Sequence, residues 1–414
     1  MTFAVVNIGQ LVTLAGPHRA RTGAEMSELG VIEDAALLIE DGVIAAAGTE
    51  DELAPRISPA MLEIDAGGRC VTPGFVDAHT HLVFAGNRAM EFEQRIGGAT
   101  YQEIAAAGGG ILHTVAATRE ATEDELLAST RRYRDWMLRS GTTTIEAKSG
   151  YGLDRETELR MLRVLARLDQ EGPVRIVPTL LAAHTVPPEF ADRREQYVRW
   201  ITDELIPEVS AEKLAVYCDA FCDDHAFTVE ETRAVLTAAR RHGLALRLHA
   251  EQFRPGTGAA LAAELGAATA DHLESVDEQT LGALQAAGVQ PVLLPGSVFA
   301  LGRTQYPPAR TMIEKGLAVV LATDFNPGSS PIASMPFVFS LACLQMAMSP
   351  AEALTAGTVN AAWSLGLGDQ IGSLEPGMQA DFLIHEFQDY RELAYFVAVP
   401  ARRRVFIAGA DVTR

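Results

Sequence analysis

No stretch of the chain reaches the roughly 18 uninterrupted apolar residues that a membrane-spanning helix needs. The opening Met1-Thr2-Phe3-Ala4-Val5 lacks a basic leader, an apolar run and a small-residue cleavage site, so a cytoplasmic location is expected. Cysteine is scarce: Cys70, Cys218, Cys222 and Cys343 are the only four in 414 residues, which matches a reducing compartment. Cys218 and Cys222 lack the paired short spacings of a zinc module and read as buried thiols. Positive charge is also in deficit, with 34 Lys and Arg against 54 Asp and Glu and a formal net charge of -20. Such a surface repels phosphate backbones and anionic lipid, which argues against nucleic acid or membrane partners and leaves a small-molecule substrate. An anionic ligand then requires a local cationic pocket. No internal repeat or low-complexity linker interrupts the chain.

What is present is an ordinary globular balance, 48% hydrophobic and 21% charged, in a chain too long for one compact core. Eight short apolar runs stand out: Val71–Asp77, Thr142–Ala147, Val174–Leu180, Ala215–Ala220, Leu244–Leu248, Ala267–Asp271, Val289–Leu294 and Ala318–Ala322. They read as continuous, as parallel strands buried on both faces do, and their number fits an α/β fold with a (β/α)8 barrel. Helix-start patterns fall between them. Thr122 with Glu125, Thr228 with Glu231 and Ser275 with Glu278 each set a hydroxyl three residues before a carboxylate, and Ser349-Pro350-Ala351-Glu352 adds proline at the first helical position. Both ends of the chain have a different texture. Phe3–Val6, Leu11–Leu14, Ala36–Ile39, Val43–Ala45, Asp381–Ile384 and Arg404–Gly409 look like strands, with Asp41-Gly42 as a turn. They predict a small β-sandwich domain built from both chain termini, residues 1–66 and 370–414, around a barrel spanning 67–369.

Candidate ligands recur where that barrel would expose them. His79 and His81 follow the first run, His249 closes the fifth, His272 the sixth and Asp324 the eighth. The carboxyl ends of barrel strands face one mouth, where active sites are built. Residues two apart on extended backbone project to one side, so His79 and His81 can meet one cation. A lone His-x-His is a weak signal, because satisfied core histidines are common; that default does not explain five such residues at four strand ends. Three imidazoles and the Asp324 carboxylate make an N/O set suited to Zn2+ or Fe2+ with a position left for water, and His272 is a further ligand or a donor beside the set. His18, His113, His225, His242 and His385 read as surface or loop residues.

These positions resemble the amidohydrolase superfamily in its mononuclear form. Longer stretches resemble its imidazolonepropionase family: Glu146-Ala147-Lys148-Ser149-Gly150-Tyr151-Gly152, Ala182-Ala183-His184-Thr185-Val186-Pro187-Pro188, Ala270-Asp271-His272-Leu273, and Ala322-Thr323-Asp324-Phe325-Asn326-Pro327-Gly328-Ser329-Ser330. The resemblance covers nearly the whole chain. It implies one metal ion per chain, Zn2+ or Fe2+/Fe3+, on His79, His81, His249 and Asp324. The implied reaction is hydrolysis of the cyclic amide of 4-imidazolone-5-propanoate to N-formimino-L-glutamate in histidine degradation. Asp324 would accept the proton of the attacking water and His272 would stabilise the developing oxyanion. By the same match Arg88 takes the substrate carboxylate with its guanidinium fork. Tyr101, Tyr151 and His184 line the pocket, and Asn326, Gly328 and Ser329 present polar groups beside Asp324. A loop arginine is by default a solvated charge and a tyrosine by default packing; the matching context is what gives these a role. Lys148 invites comparison with the carbamylated lysine of two-metal relatives, but in a one-metal family it reads as structural. The chain departs from the superfamily pattern at Gln252, where many members carry glutamate three residues after the fifth-strand histidine. Gln252 is assigned to hold the ring by hydrogen bonds, with the adjacent Glu251 pointing the other way. A homodimer would be in keeping with the superfamily.

Two rivals share some of these features. An aminohydrolase acting on a nucleobase-like ring would have the same barrel and metal set but would release ammonia. A non-catalytic relative would be expected to lose ligand histidines, and all four proposed ligands are present.

Overall fold

The computed structural model describes residues 2–99, 103, 108–223, 226–401 and 403–413. Eight parallel barrel strands fall on the eight expected runs: Phe75–Asp77, Thr142–Lys148, Arg175–Ala183, Tyr217–Cys222, a fifth broken into Ala245–Leu246 and His249–Ala250, then Thr269–His272, Gln290–Leu293 and Val320–Leu321. The second strand is buried along its whole length although it carries three threonines, Glu146 and Lys148. Polar groups are therefore sealed along this strand: Glu146 and Lys148 find partners, whereas the Thr142 and Thr144 hydroxyls are buried without one. The seam between the eighth strand and the first is bonded just beyond the strand ends. Asp324 N–H donates to the His79 carbonyl at 3.0 Å, and His81 N–H donates to the Phe325 carbonyl at 2.9 Å.

The local start signals are mostly kept. Thr122 with Glu125 caps Glu123–Arg139, Thr228 with Glu231 caps Val229–Arg241, and Ser349 with Glu352 caps Pro350–Ala356. The expected start at Ser275 is corrected: helix Glu278–Ala287 is capped by Asp277, whose carboxylate accepts from Thr280 N–H. A carboxylate both accepts that bond and faces the positive helix end, so the aspartate two residues later prevails.

A separate seven-stranded mixed sheet comes from the two termini. Thr2–Val12 runs antiparallel to Val31–Glu40 on one side and parallel to Leu62–Pro73 on the other; Phe382–His385 and then Arg403–Ile407 extend the sheet beyond Leu62–Pro73. Where two runs are expected near the amino terminus there is one strand, because a bulge between Val5 and Ile8, with Asn7 at φ +52, absorbs the polar interruption. Asp41 and Gly42 both adopt positive φ, +49 and +83, as the hairpin joining Val31–Glu40 to Val43–Thr49 requires. The Phe382 and Phe406 rings stack at 4.3 Å in its core.

His385 is a second correction. It is buried, stacked between Phe75 and Phe387, with the Thr72 hydroxyl 2.9 Å from Nε2. Its strand lies against the barrel, so one face of the terminal sheet is interior. His18, His113 and His242 are exposed, and His225 lies outside the described residues. All four cysteines are free, three of them buried. Among the described residues no helix is long and apolar enough to cross a membrane.

Candidate active site

The strand ends bring His79, His81, His249, His272 and Asp324 together. Ligand-type atoms of His79, His81 and Asp324 lie within 4.8 Å of one another, as do those of His79, His249 and His272. His79 Nε2 and His81 Nε2 are each 3.5 Å from Asp324 Oδ1, and His249 Nε2 is 3.4 Å from His81 Nε2. All five residues are buried. Burial, reinforced by Lys148 and His249, holds His79 and His81 well below the usual imidazole range, so both are neutral.

The carboxylates behind them set the tautomers. His79 Nδ1 lies 2.6 Å from Asp271 Oδ2 and His249 Nδ1 lies 3.1 Å from Asp219 Oδ1. Each Nδ1 therefore carries the proton and donates it, which leaves a lone pair on Nε2 aimed at the centre. His79 Nε2 is buried and has no hydrogen-bond partner. Lone pairs converging on a carboxylate repel one another, and a cation among them reverses the sign. Three imidazole nitrogens and one carboxylate oxygen are a donor set that first-row divalent metals accept, so the residues present fit a metal ion.

Beneath this layer lies a sealed set of charges. Lys148 Nζ is 2.8 Å from Glu146 Oε1 and 2.9 Å from Asp219 Oδ2, and Arg247 Nη2 is 3.5 Å from Asp271 Oδ2, all with fully buried side chains. Glu146 also accepts from the Thr179 hydroxyl and from Thr80 N–H. Burial alone would lower the Lys148 pKa, but Asp219 and Glu146 outweigh it and the net shift is upward. The ammonium stands as the counter-charge to these two buried carboxylates.

On the open side, Tyr151 is buried with its ring 6.0 Å from His81 and 5.3 Å from His184. His184 stacks on His81 at 5.1 Å and is held by the Gly150 carbonyl, 2.9 Å from Nδ1. Arg88 Nε donates to the Thr114 hydroxyl at 3.0 Å, and its guanidinium packs on Gly328 so closely that a Cβ there would sit 2.2 Å from Nη1. Asn326 is turned into its own loop: Oδ1 accepts from Gly328 and Ser329 N–H at 2.8 and 2.7 Å, while Nδ2 donates to the Asp324 carbonyl at 2.6 Å. Gln252 is buried, and its backbone carbonyl accepts from Arg303 Nη1 at 3.0 Å. Glu251 accepts from Ala259 N–H at 3.0 Å, and burial pushes its carboxyl up to about 7. Burial would lower the His272 pKa, but Glu274, 3.3 Å from Nδ1, outweighs it and the net shift is upward. Tyr101 lies outside the described residues.

The amidohydrolase family model matches residues 70–410. An imidazolonepropionase of Solibacter usitatus is 57% identical over 99% of this chain and 98% of its own length. One from Geobacillus thermodenitrificans is 49% identical over 97% of this chain and 96% of its own. The chain belongs to the imidazolonepropionase family of amidohydrolases. Solved structures of low identity share its fold: guanine deaminase of E. coli, TM-score 0.72 at 17% identity over 100% of this chain and 99% of that one. The 5-methylcytosine deaminase of Klebsiella pneumoniae, liganded with 5-fluorocytosine, gives TM-score 0.74 at 17% identity over 99% and 97%.

In this imidazolonepropionase-family site, sequence reasoning brings the metal-facing residues together but passes over Glu146, Asp219, Arg247 and Asp271. Their signal was an ionisable residue in or beside a strand otherwise read as buried. Because Lys148 counters two sealed carboxylates, Lys148→Met is expected to cost about 3–5 kcal/mol. Thermal denaturation reads this directly; a melting temperature equal to that of the unaltered chain would show that Glu146 and Asp219 tolerate its loss.

Proposed function

We propose that the chain hydrolyses 4-imidazolone-5-propanoate, opening the ring at its amide C–N bond to give N-formimino-L-glutamate in histidine degradation. Likeness at 57% identity over nearly the whole chain carries this reading, whereas the nucleobase deaminases share only the fold. His79, His81, His249 and Asp324 would hold one Zn2+ or Fe2+/Fe3+ per chain. A cation there would lower the pKa of water toward ~7 and polarise the ring carbonyl. Asp324 takes the proton of the attacking water at a carboxylate oxygen and returns it to the departing ring nitrogen. His272, backed by Glu274, donates to the oxyanion that develops on the carbonyl. The carbonyl carbon gains the water oxygen and becomes the carboxylate of the ring-opened product.

Arg88 binds the propanoate of the substrate, with Gly328 leaving room for the guanidinium. Tyr151, His184 and, by the family match, Tyr101 enclose the ring. Asn326 and Ser329 shape the loop that carries Gly328. Gln252 positions the imidazolone with an amide that donates and accepts but does not titrate near neutral pH. The same reading includes a cytoplasmic homodimer, with a barrel between two terminal segments that form the β domain; its first boundary falls after Pro73, the end of strand Leu62–Pro73, and not at the expected 66–67. The net charge of -20 supports the absence of nucleic acid and membrane partners.

The test of function is turnover of imidazolonepropanoate against ammonia release from guanine or cytosine, with elemental analysis alongside. Ring opening with about one metal per chain, and loss of that metal in His249→Ala, is expected; ammonia release alone would reject the assignment. Arg88→Met should lower kcat/KM by about 10- to 150-fold, the equivalent of one charge-assisted contact, with metal content unchanged. Unaltered kcat/KM would remove Arg88 from the pocket. Gln252→Glu should bind substrate more weakly with no gain in kcat, and Gln252→Ala should lose activity without a change in the shape of the pH profile. A higher kcat in Gln252→Glu, together with a new acidic limb in its pH profile, would instead show that Asp324 is not the base.

A further inference from the structure

A cavity of about 1010 Å3 lies where the terminal sheet meets the barrel, and it shares no lining residue with the metal centre. In a chain of net charge -20, four arginines line it, Arg69, Arg139, Arg403 and Arg404, against one acid, Glu386, among the described residues. The twelve-residue helix Met335–Met346 begins at its wall, where Ser334 and Phe337 line the space, so the positive end of a helix adds to the same field.

One pair of side chains on the wall is left incomplete. His385 and Arg403 are register partners on adjacent antiparallel strands, which puts both side chains on one face. The Thr72 hydroxyl donates to the Pro73 carbonyl at 3.0 Å and so accepts from His385 Nε2, 2.9 Å away. His385 Nδ1 then carries a lone pair, and it is buried with no hydrogen-bond partner in a residue that is 1% exposed. Arg403 donates from Nη1 to the Arg139 carbonyl at 3.2 Å, while its Nε–H is also buried without a partner. Burial, and then Arg403, hold His385 well below the usual imidazole range, so Nδ1 remains an acceptor near neutral pH. An unmet acceptor and an unmet donor thus sit on register partners of adjacent strands, and each is costly to leave unfilled. Glu386 is the acid that acts on the Arg403 guanidinium, and a water molecule in the cavity would add no charge to it.

We propose that this cavity binds a small oxyanion that keeps a hydroxyl group, with hydrogen phosphate as the simplest member. Its hydroxyl donates to His385 Nδ1, and its charged oxygens accept from Arg403 Nε–H and the neighbouring guanidiniums. Arg404, paired with Asp411 at 2.7 Å and stacked over Phe406, is a fixed part of the wall. Arg139 and Ser334 belong to the barrel while Arg69, His385 and Arg403 belong to the terminal sheet, so the bound ion ties one to the other. It therefore stabilises the folded chain by linkage and takes no part in turnover.

Calorimetric titration of the metal-loaded enzyme with inorganic phosphate near neutral pH, with sulfate in parallel, tests the site, since sulfate carries the charge but no hydroxyl. Saturable binding of phosphate is expected, with sulfate weaker by about 2- to 10-fold for the lost hydrogen bond. Arg403→Met should weaken phosphate by at least about tenfold, abolish the rise in melting temperature that phosphate gives the unaltered chain, and leave kcat unchanged. The comparison of phosphate with sulfate on the unaltered chain decides the matter even if that variant folds poorly. Full phosphate affinity in Arg403→Met would place the ion elsewhere, the metal centre included, and overturn the proposal. Sulfate binding as tightly as phosphate, or no saturable phosphate binding, would overturn it as well.

Discussion

The ammonium of Lys148, sealed between Glu146 and Asp219, is the contact on which the geometry of the candidate metal site depends. Asp219 orients His249 as an ionised carboxylate, and buried as it is, it stays ionised because a cation stands beside it. Arg247 stands in the same relation to Asp271 and His79. Such buried pairs add little net stability, because desolvation offsets the attraction. What they supply is direction: two lone pairs fixed toward one point before any metal arrives.

The backbone contributes a second constraint. Glu251, His272, Leu273 and Asp324 all sit at positive φ, between +50 and +81, at or just beyond strand ends. Left-handed conformations cost non-glycine residues of order 1–3 kcal/mol and persist only where the surroundings enforce them. At Asp324 the enforcement is visible. Its N–H is bonded to the His79 carbonyl and its own carbonyl to Asn326, so the turn that presents the carboxylate also bonds the eighth strand to the first.

Much of this was legible in the sequence where the signal is local. Eight buried runs, three capping pairs and ligand-type side chains at strand ends need only near neighbours to be read. The charges beneath the site are different. Asp271 meets His79 across 192 positions and Asp77 meets Thr323 across 246, so their partners are set by barrel closure and not by spacing. His385 looked like a loop residue because nothing nearby reveals that its strand packs against the barrel. Ser275 failed as a cap because Asp277 competes for the same helix end, and propensity patterns do not rank two adjacent candidates. The left-handed turns at His272 and Asp324 had no sequence signal, since neither residue is glycine.

The strand Leu62–Pro73 takes its outer neighbour from the far end of the chain, where Thr72 and His385 are bonded across 313 positions. A ribosome adding roughly 5–20 residues per second needs on the order of 15–60 s to deliver that neighbour. Throughout this interval Val71, Thr72 and Pro73 present an open sheet edge to the crowded space near the exit tunnel. All the barrel strands are synthesised within it, but the terminal sheet cannot be completed until Phe382–His385 and Arg403–Ile407 follow. Any nascent chain cut short before Phe382 therefore carries an unpaired edge beside finished machinery, which makes late truncation a hazard for aggregation more than for catalysis.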